Sequence, residues 1–170
     1  MPNARWKQFE RRVASAFGSV RVPLSGINSR HTGADVLCKT LFVECKSNVP
    51  SPLIRDWRDT TRRLDALGLA RCILLEGGRR RRLALWHSQD GPPRVPRGKG
   101  ATDAFPHLVP CHDRLIGLWC HAHDDALAER GEGVVTVLCA GRHGRHGFWL
   151  VHESSFLGVV SRAWKGKGGE

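Results

Sequence analysis

Two hydrophobic periods alternate along this chain, and that alternation limits what it can fold into. Trp6, Phe9, Val13, Ala16 and Phe17 recur at the spacing of one helical face, which Gly18 ends. Val20, Val22 and Leu24 then alternate with other residues as a strand does, and Ser25-Gly26 closes the segment. Ala34–Cys38 and Leu41–Lys46 are two β-rich runs separated by Lys39-Thr40, so they predict a hairpin with a two-residue turn. Ser51-Pro52 suits a helix N-cap and first turn, and Leu53, Trp57, Leu64 and Leu67 continue at helical spacing to Gly68. Ala70–Leu75 and Leu83–His87 are short apolar runs around Gly77-Gly78 and the four arginines Arg79, Arg80, Arg81 and Arg82, which predicts strand, basic turn and strand. The expected class is α/β.

From 89 to 110 the chain is rich in Pro, Gly and basic residues, and Pro92, Pro93, Pro96 and Pro106 forbid a regular helix there. Beyond it Leu115, Leu118, Trp119, Ala122 and Ala126 predict a third helix, followed by strands at Val134–Ala140 and Phe148–His152 around Gly141-Arg142-His143-Gly144-Arg145. The order of helix, strand, basic Gly turn and strand echoes residues 53–88, as an internal repeat would. The expected division is a core over 1–88, a loop or linker over 89–110, a C-terminal α+β extension over 111–164 and a frayed tail over 165–170.

A chain of 170 residues with 41% apolar content is long enough to bury a core as one domain. There is no run of about 18 apolar residues, which argues against a membrane span, and no leader-like amino terminus. The six cysteines sit in apolar runs or beside histidines without a secreted disulfide framework. A cytoplasmic protein with reduced thiols is expected. Lys and Arg outnumber Asp and Glu by 27 to 16, a net charge of +11, which points to a polyanionic partner and first to nucleic acid.

Residues 1–50 carry eight Lys or Arg but only three acids, Glu10, Asp35 and Glu44. If Lys39-Thr40 is the turn, Asp35 faces Glu44 with Cβ atoms roughly 5 Å apart. Glu44 and Lys46 lie two apart on one strand face, while Val43 and Cys45 point the other way. Glu10 falls at the edge of the apolar stripe of its helix, where packing on the sheet would deliver it as another ligand. Hard oxygen ligands of this kind suit Mg²⁺, with Mn²⁺ as a substitute. Such a site would polarise a phosphate and lower the pKa of a bound water, with Lys46 orienting that water or stabilising transition-state charge. A bare E-x-K match is also what an ordinary surface ion pair on a solvated hairpin would give.

Gly33-Ala34-Asp35-Val36 followed by Val43-Glu44-Cys45-Lys46-Ser47 resembles the core motif of the PD-(D/E)XK nuclease superfamily, with Ala34 in place of the motif proline. Glu10-Arg11, Arg21-Val22-Pro23-Leu24-Ser25-Gly26 and Arg30 are similar to the archaeal-type Holliday junction resolvases, which phages also encode. The resemblance covers about residues 4–88. It implies a restriction-endonuclease-like core, a central mixed β-sheet flanked by helices. It also implies a metal held by Asp35, Glu44 and the backbone carbonyl of Cys45, with Lys46 as catalytic lysine and Glu10 as the helical acid. Arg11, Arg21, Ser25, Arg30 and Ser47 would then face DNA, with Ser25 and Arg30 on a mobile loop near the phosphates. Such proteins act as homodimers on four-way junctions, here in the cytoplasm, or the host cytoplasm if phage-encoded. The segment after Ser88 has no counterpart in the compact resolvases.

Arg79–Arg82 and the Arg142/His143/Arg145/His146 turn offer further phosphate contacts. Trp57 and Trp86 fit base stacking or, more simply, core packing. Cys111-His112 and Cys120-His121-x-His123 carry zinc-ligand types at a spacing that fits no zinc site. The functional expectation is a Mg²⁺-dependent DNA endonuclease, foremost a junction resolvase. The alternatives are a restriction-like or repair nuclease on linear DNA, and a basic DNA-binding module whose acids are structural.

Overall fold

The computed structural model describes residues 3–23, 33–46, 49, 51–68, 71–77, 81–87, 107–108, 113–141, 147–156 and 158–159. Helices α1 (Asn3–Ala16), α2 (Ser51–Ala66) and α3 (Asp113–Arg130) accompany strands β1 (Leu41–Lys46), β2 (Cys72–Gly77), β3 (Arg81–His87), β4 (His107–Leu108), β5 (Val135–Gly141) and β6 (Gly147–His152). The strands form one mixed sheet in the order β1-β5-β6-β3-β2-β4, in which β4 contributes only two residues. The chain is α/β, as its alternating periods require.

Sheet order overturns the expected division of the chain. Strand β1 pairs in parallel with β5, from Leu41 opposite Val135 to Lys46 opposite Ala140, and β6 pairs with β3. The C-terminal hairpin therefore lies in the middle of the sheet, between β1 and the β2–β3 hairpin, rather than on an extension. The reason is local chemistry: β5 is buried from Thr136 to Gly141, and a strand covered on both faces is stable only inside a sheet.

The echo noticed in the sequence has a spatial counterpart. The units α2-β2-β3 and α3-β5-β6 meet through their second strands, β3 and β6, which run antiparallel with Leu85 opposite Leu150 and Trp86 opposite Trp149. Leu53, Ile54 and Trp57 on α2 match Leu115, Ile116 and Trp119 on α3 in spacing. Each set turns Leu and Trp into the core.

Alternation along the strands decides what each helix covers. Cys139 and Gly141 face α1, and a Cβ on Gly141 would lie 2.6 Å from the Phe9 ring, so only glycine lets α1 approach this closely. Phe17 at the end of α1 stacks on Trp149 of the same face. The opposite face carries α2, where Trp57 meets Phe148 edge-on, and α3, where the Trp119 indole donates to the Thr136 carbonyl at 3.3 Å. Trp57 and Trp86 are 8% and 3% exposed, so both serve the core and neither offers a base-stacking surface. Each fully buried Leu or Phe of this core contributes about 1.5–3 kcal/mol over its exposed state.

The expected hairpin forms only in part. Val36 bridges Val43 in the register set by a Lys39-Thr40 turn, but the ladder does not extend on either side, and residues 20–22 join it only through the bridge of Arg21 to Val36. Two causes are visible: the turn lacks Gly or Asn, and the Cys45 N–H donates to the Asp35 carboxylate at 2.7 Å instead of to a second strand.

Because β1 finds its sheet partner in β5, a fragment of residues 1–88 should have no stable fold. Its far-ultraviolet circular dichroism should melt without a cooperative transition, whereas the full chain unfolds in one; a cooperative melt of the fragment would contradict the sheet order.

Candidate active site

Strand β1 presents Leu41, Val43 and Cys45 to the α1 side, and Phe42, Glu44 and Lys46 to the α3 side. Phe42 packs with Ala34 and Ala126, so the Glu44 and Lys46 side chains emerge beside α3, where the apolar contact gives out. The Lys46 ammonium donates to the Glu44 carboxylate at 2.5 Å. Asp35 is 7% exposed and straddles β1 from its free side. Its N–H donates to the Val43 carbonyl at 2.9 Å and its carboxylate accepts the Cys45 N–H at 2.7 Å, which sets it next to Glu44. In an extended strand the N–H and C=O of one residue point the same way, so the Cys45 carbonyl is directed to the Asp35 side. Two carboxylates, a backbone carbonyl and an ammonium thus converge at the end of β1.

Electrostatics within this group are unbalanced. Burial, then the neighbouring charge of Asp35, pushes the Glu44 carboxyl up to about 7, despite its bond to Lys46; Asp125 adds to the rise. Burial pulls the Lys46 ammonium down, but the Glu44 hydrogen bond and the charges of Glu44, Asp35 and Asp125 outweigh it and hold it above its ordinary value. Lys46 is therefore an ammonium at neutral pH, suited to binding developing negative charge rather than to accepting a proton. Glu44 is held between protonation states first by burial and then by the negative charge of Asp35, and a divalent cation would offset both. The donor set fits Mg²⁺ or Mn²⁺, hard ions that take one or two carboxylates and complete their shell with water. Among the described residues no three His, Cys, Asp or Glu side chains gather as a ready cage, so the fit rests on Asp35, Glu44 and the Cys45 carbonyl.

Glu10 is 2% exposed and forms an ion pair with Arg21 on the α1 side, near Cys45, while Glu44 projects from the other face of the same strand. Cys45 feels the charges of both Asp35 and Glu10, which places the expected helical acid at the margin of the site, across β1 from Glu44. Arg21 is correspondingly engaged with Glu10. Arg11 is exposed on α1, and Arg82 is half-buried on β3. Gly77 and Arg81, where β2 and β3 pair beside the arginine run, lie at the end of the sheet opposite Lys46, whereas Gly141 and Gly147 lie at the Lys46 end. Ser25, Arg30, Ser47, Arg79, Arg80 and the Arg81 side chain lie outside the described residues, as do Cys111 and His112. His123 bonds the Thr136 hydroxyl at 3.0 Å and stacks on Trp119, so its imidazole serves the α3–sheet contact. Among the described residues no disulfide joins Cys38, Cys45, Cys72, Cys120 and Cys139.

Asp125 is the group that the sequence expectation missed. It precedes the buried Ala126 and follows the buried Ala122 by three, which places it at the margin of the apolar stripe of α3, the same signal that singled out Glu10. No protein-family model matches this chain, and no significantly similar curated protein or solved structure was found. Among the described residues no helix is long and apolar enough to cross a membrane.

The raised Glu44 fixes the sign of a stability change. A carboxyl that holds its proton more tightly folded than unfolded gives stability that is fully present below about 4.5 and lost as pH rises through about 7. Metal-free protein should lose on the order of 3 kcal/mol across that window from this group. Glu44→Gln should flatten the slope in urea unfolding at pH 4.5 to 8; an unchanged slope would show that Glu44 titrates normally.

Proposed function

We propose that this protein is a metal-dependent endodeoxyribonuclease of the PD-(D/E)XK type, built on a restriction-endonuclease-like core. What carries this reading is the Asp35 carboxylate, held on the Cys45 N–H beside the Glu44–Lys46 ion pair. It brings the motif residues together at the end of one strand. A surface ion pair would not require a buried Asp35, nor would it leave its own carboxyl raised to about 7. A basic DNA-binding module gains nothing from carboxylates where phosphate must approach.

Asp35, Glu44 and the Cys45 carbonyl would hold Mg²⁺, or Mn²⁺ in its place. The ion supplies a Lewis acid for a phosphate oxygen and a bound water of lowered pKa. Lys46, charged at neutral pH, stabilises the negative charge that gathers on the phosphoryl oxygens as the bond to the leaving oxygen lengthens. The net charge of +11 draws the DNA backbone to the protein, and affinity should fall as salt rises. Among DNA substrates we favour four-way junctions, cut by a homodimer with one site per strand, on the strength of the Arg21–Gly26 and Glu10-Arg11 resemblance. The absence of a disulfide among the described cysteines suits a reducing compartment such as the cytoplasm.

Labelled four-way junctions, matched duplexes and single strands distinguish the readings. Symmetric nicking of junctions that needs Mg²⁺, stops with EDTA and is lost in Asp35→Asn with binding retained is the expected result. Cutting of every substrate would mean a general nuclease, and tight binding without cleavage would return the acids to a structural role. Lys46→Ala should lower kcat by at least about a hundredfold, the scale of losing one group that stabilises transition-state charge.

A further inference from the structure

Segment 33–41 carries Asp35 in the first of its two bends, and is tied to its neighbours by the Arg21–Val36 and Val36–Val43 bridges and by hydrogen bonds of Asp35 with Val22, Val43 and Cys45. The last turn of α3 closes on both ends of this segment. The Gly33 N–H donates to the Glu129 carboxylate at 2.6 Å. Glu129 in turn accepts the Arg130 guanidinium at 3.2 Å. Arg130 Nη1 donates to the Cys38 carbonyl at 2.7 Å and to the Leu41 carbonyl at 2.9 Å, with its guanidinium over the Phe42 ring at 5.4 Å. Two adjacent residues of a distant helix thus bind the beginning and the end of the loop that presents Asp35. Between them the Phe42–Ala126 contact fixes the separation of α3 from β1.

We propose that Glu129 and Arg130 form a latch that positions Asp35 against Glu44, so that the C-terminal helix is a working part of the metal site. The inference rests on the proposed nuclease reading for what the site binds, and assigns to α3 a role that residues 1–88 cannot supply. Neither residue touches a reacting atom; both are positioning residues that act through the loop. Partners of this outer kind tune ligand geometry, and their loss weakens metal affinity by about tenfold or more.

The test measures Mn²⁺ binding to the full chain by electron paramagnetic resonance, together with the Mn²⁺ concentration for half-maximal junction cleavage, in wild type, Asp35→Asn, Glu129→Gln, Arg130→Gln and Arg130→Lys. Expected are loss of binding in Asp35→Asn, about tenfold weaker binding in Glu129→Gln and Arg130→Gln, and partial recovery in Arg130→Lys. The cleavage midpoint should move to higher Mn²⁺ by the same factor while the rate at saturating Mn²⁺ is largely retained. Folded Glu129→Gln and Arg130→Gln proteins with wild-type Mn²⁺ affinity would overturn the latch. If Arg130→Gln does not fold, the exposed Glu129→Gln decides by the same criterion. Wild type and Asp35→Asn binding Mn²⁺ equally would instead overturn the metal site itself, and with it the nuclease reading.

Discussion

The parallel pairing of β1 with β5 holds the molecule together in a way that no local contact can. It joins a strand near the amino terminus to one that follows the third helix, and everything at the candidate site depends on it. With β5 on one side of β1, the other side is left to the Asp35 segment, which closes it with one bridge and one carboxylate. The same pairing brings α3 over the face on which Glu44 and Lys46 project. Had β1 stood outside the sheet, its buried Leu41, Val43 and Cys45 would have had no covering face, and Asp35 no fixed strand to lean on.

That arrangement also accounts for the charge imbalance. The sheet and α3 exclude water from Glu44, Asp35 is fixed beside it by a backbone hydrogen bond, and Asp125 adds a third negative charge from the helix. Lys46 answers only part of this. Where folding leaves a carboxyl protonated near neutrality, stability is being given up, and a bound divalent cation is the simplest means of recovering it. The two faces of β1 divide the acids accordingly. Glu10 pairs within the fold with Arg21, whereas Glu44 pairs with Lys46 beside the Asp35 carboxylate.

Much of the site was legible from residues 33–47. Period two places Glu44 and Lys46 on one face, and a two-residue turn at Lys39-Thr40 sets Val36 opposite Val43 and so brings Asp35 to Glu44. What the pattern does not contain is the break in the ladder, which comes from a side chain taking the Cys45 N–H. Nor does it say which face a helix will cover. Glu10 and Asp125 both sit at the margin of an apolar stripe, and stripe position alone gives them equal claim; the sheet gives the place beside Glu44 to Asp125.

The chain's own periodicity determined the three amphipathic helices and the apolar strands, because each depends on residues a few positions apart. Partner choice was decided only in three dimensions. The runs that became β2 and β5 are alike, each preceded by a helix carrying Leu, Ile and Trp at the same spacing and followed in the sequence by Gly and Arg residues, so either meets the local requirements of a strand beside β1. Selection between them comes from packing summed over the whole sheet: Gly141 admitting Phe9, Ala126 seating Phe42, and Glu129 and Arg130 reaching the loop around Asp35. These contacts join residues far apart in the sequence, and no short window of it contains both partners.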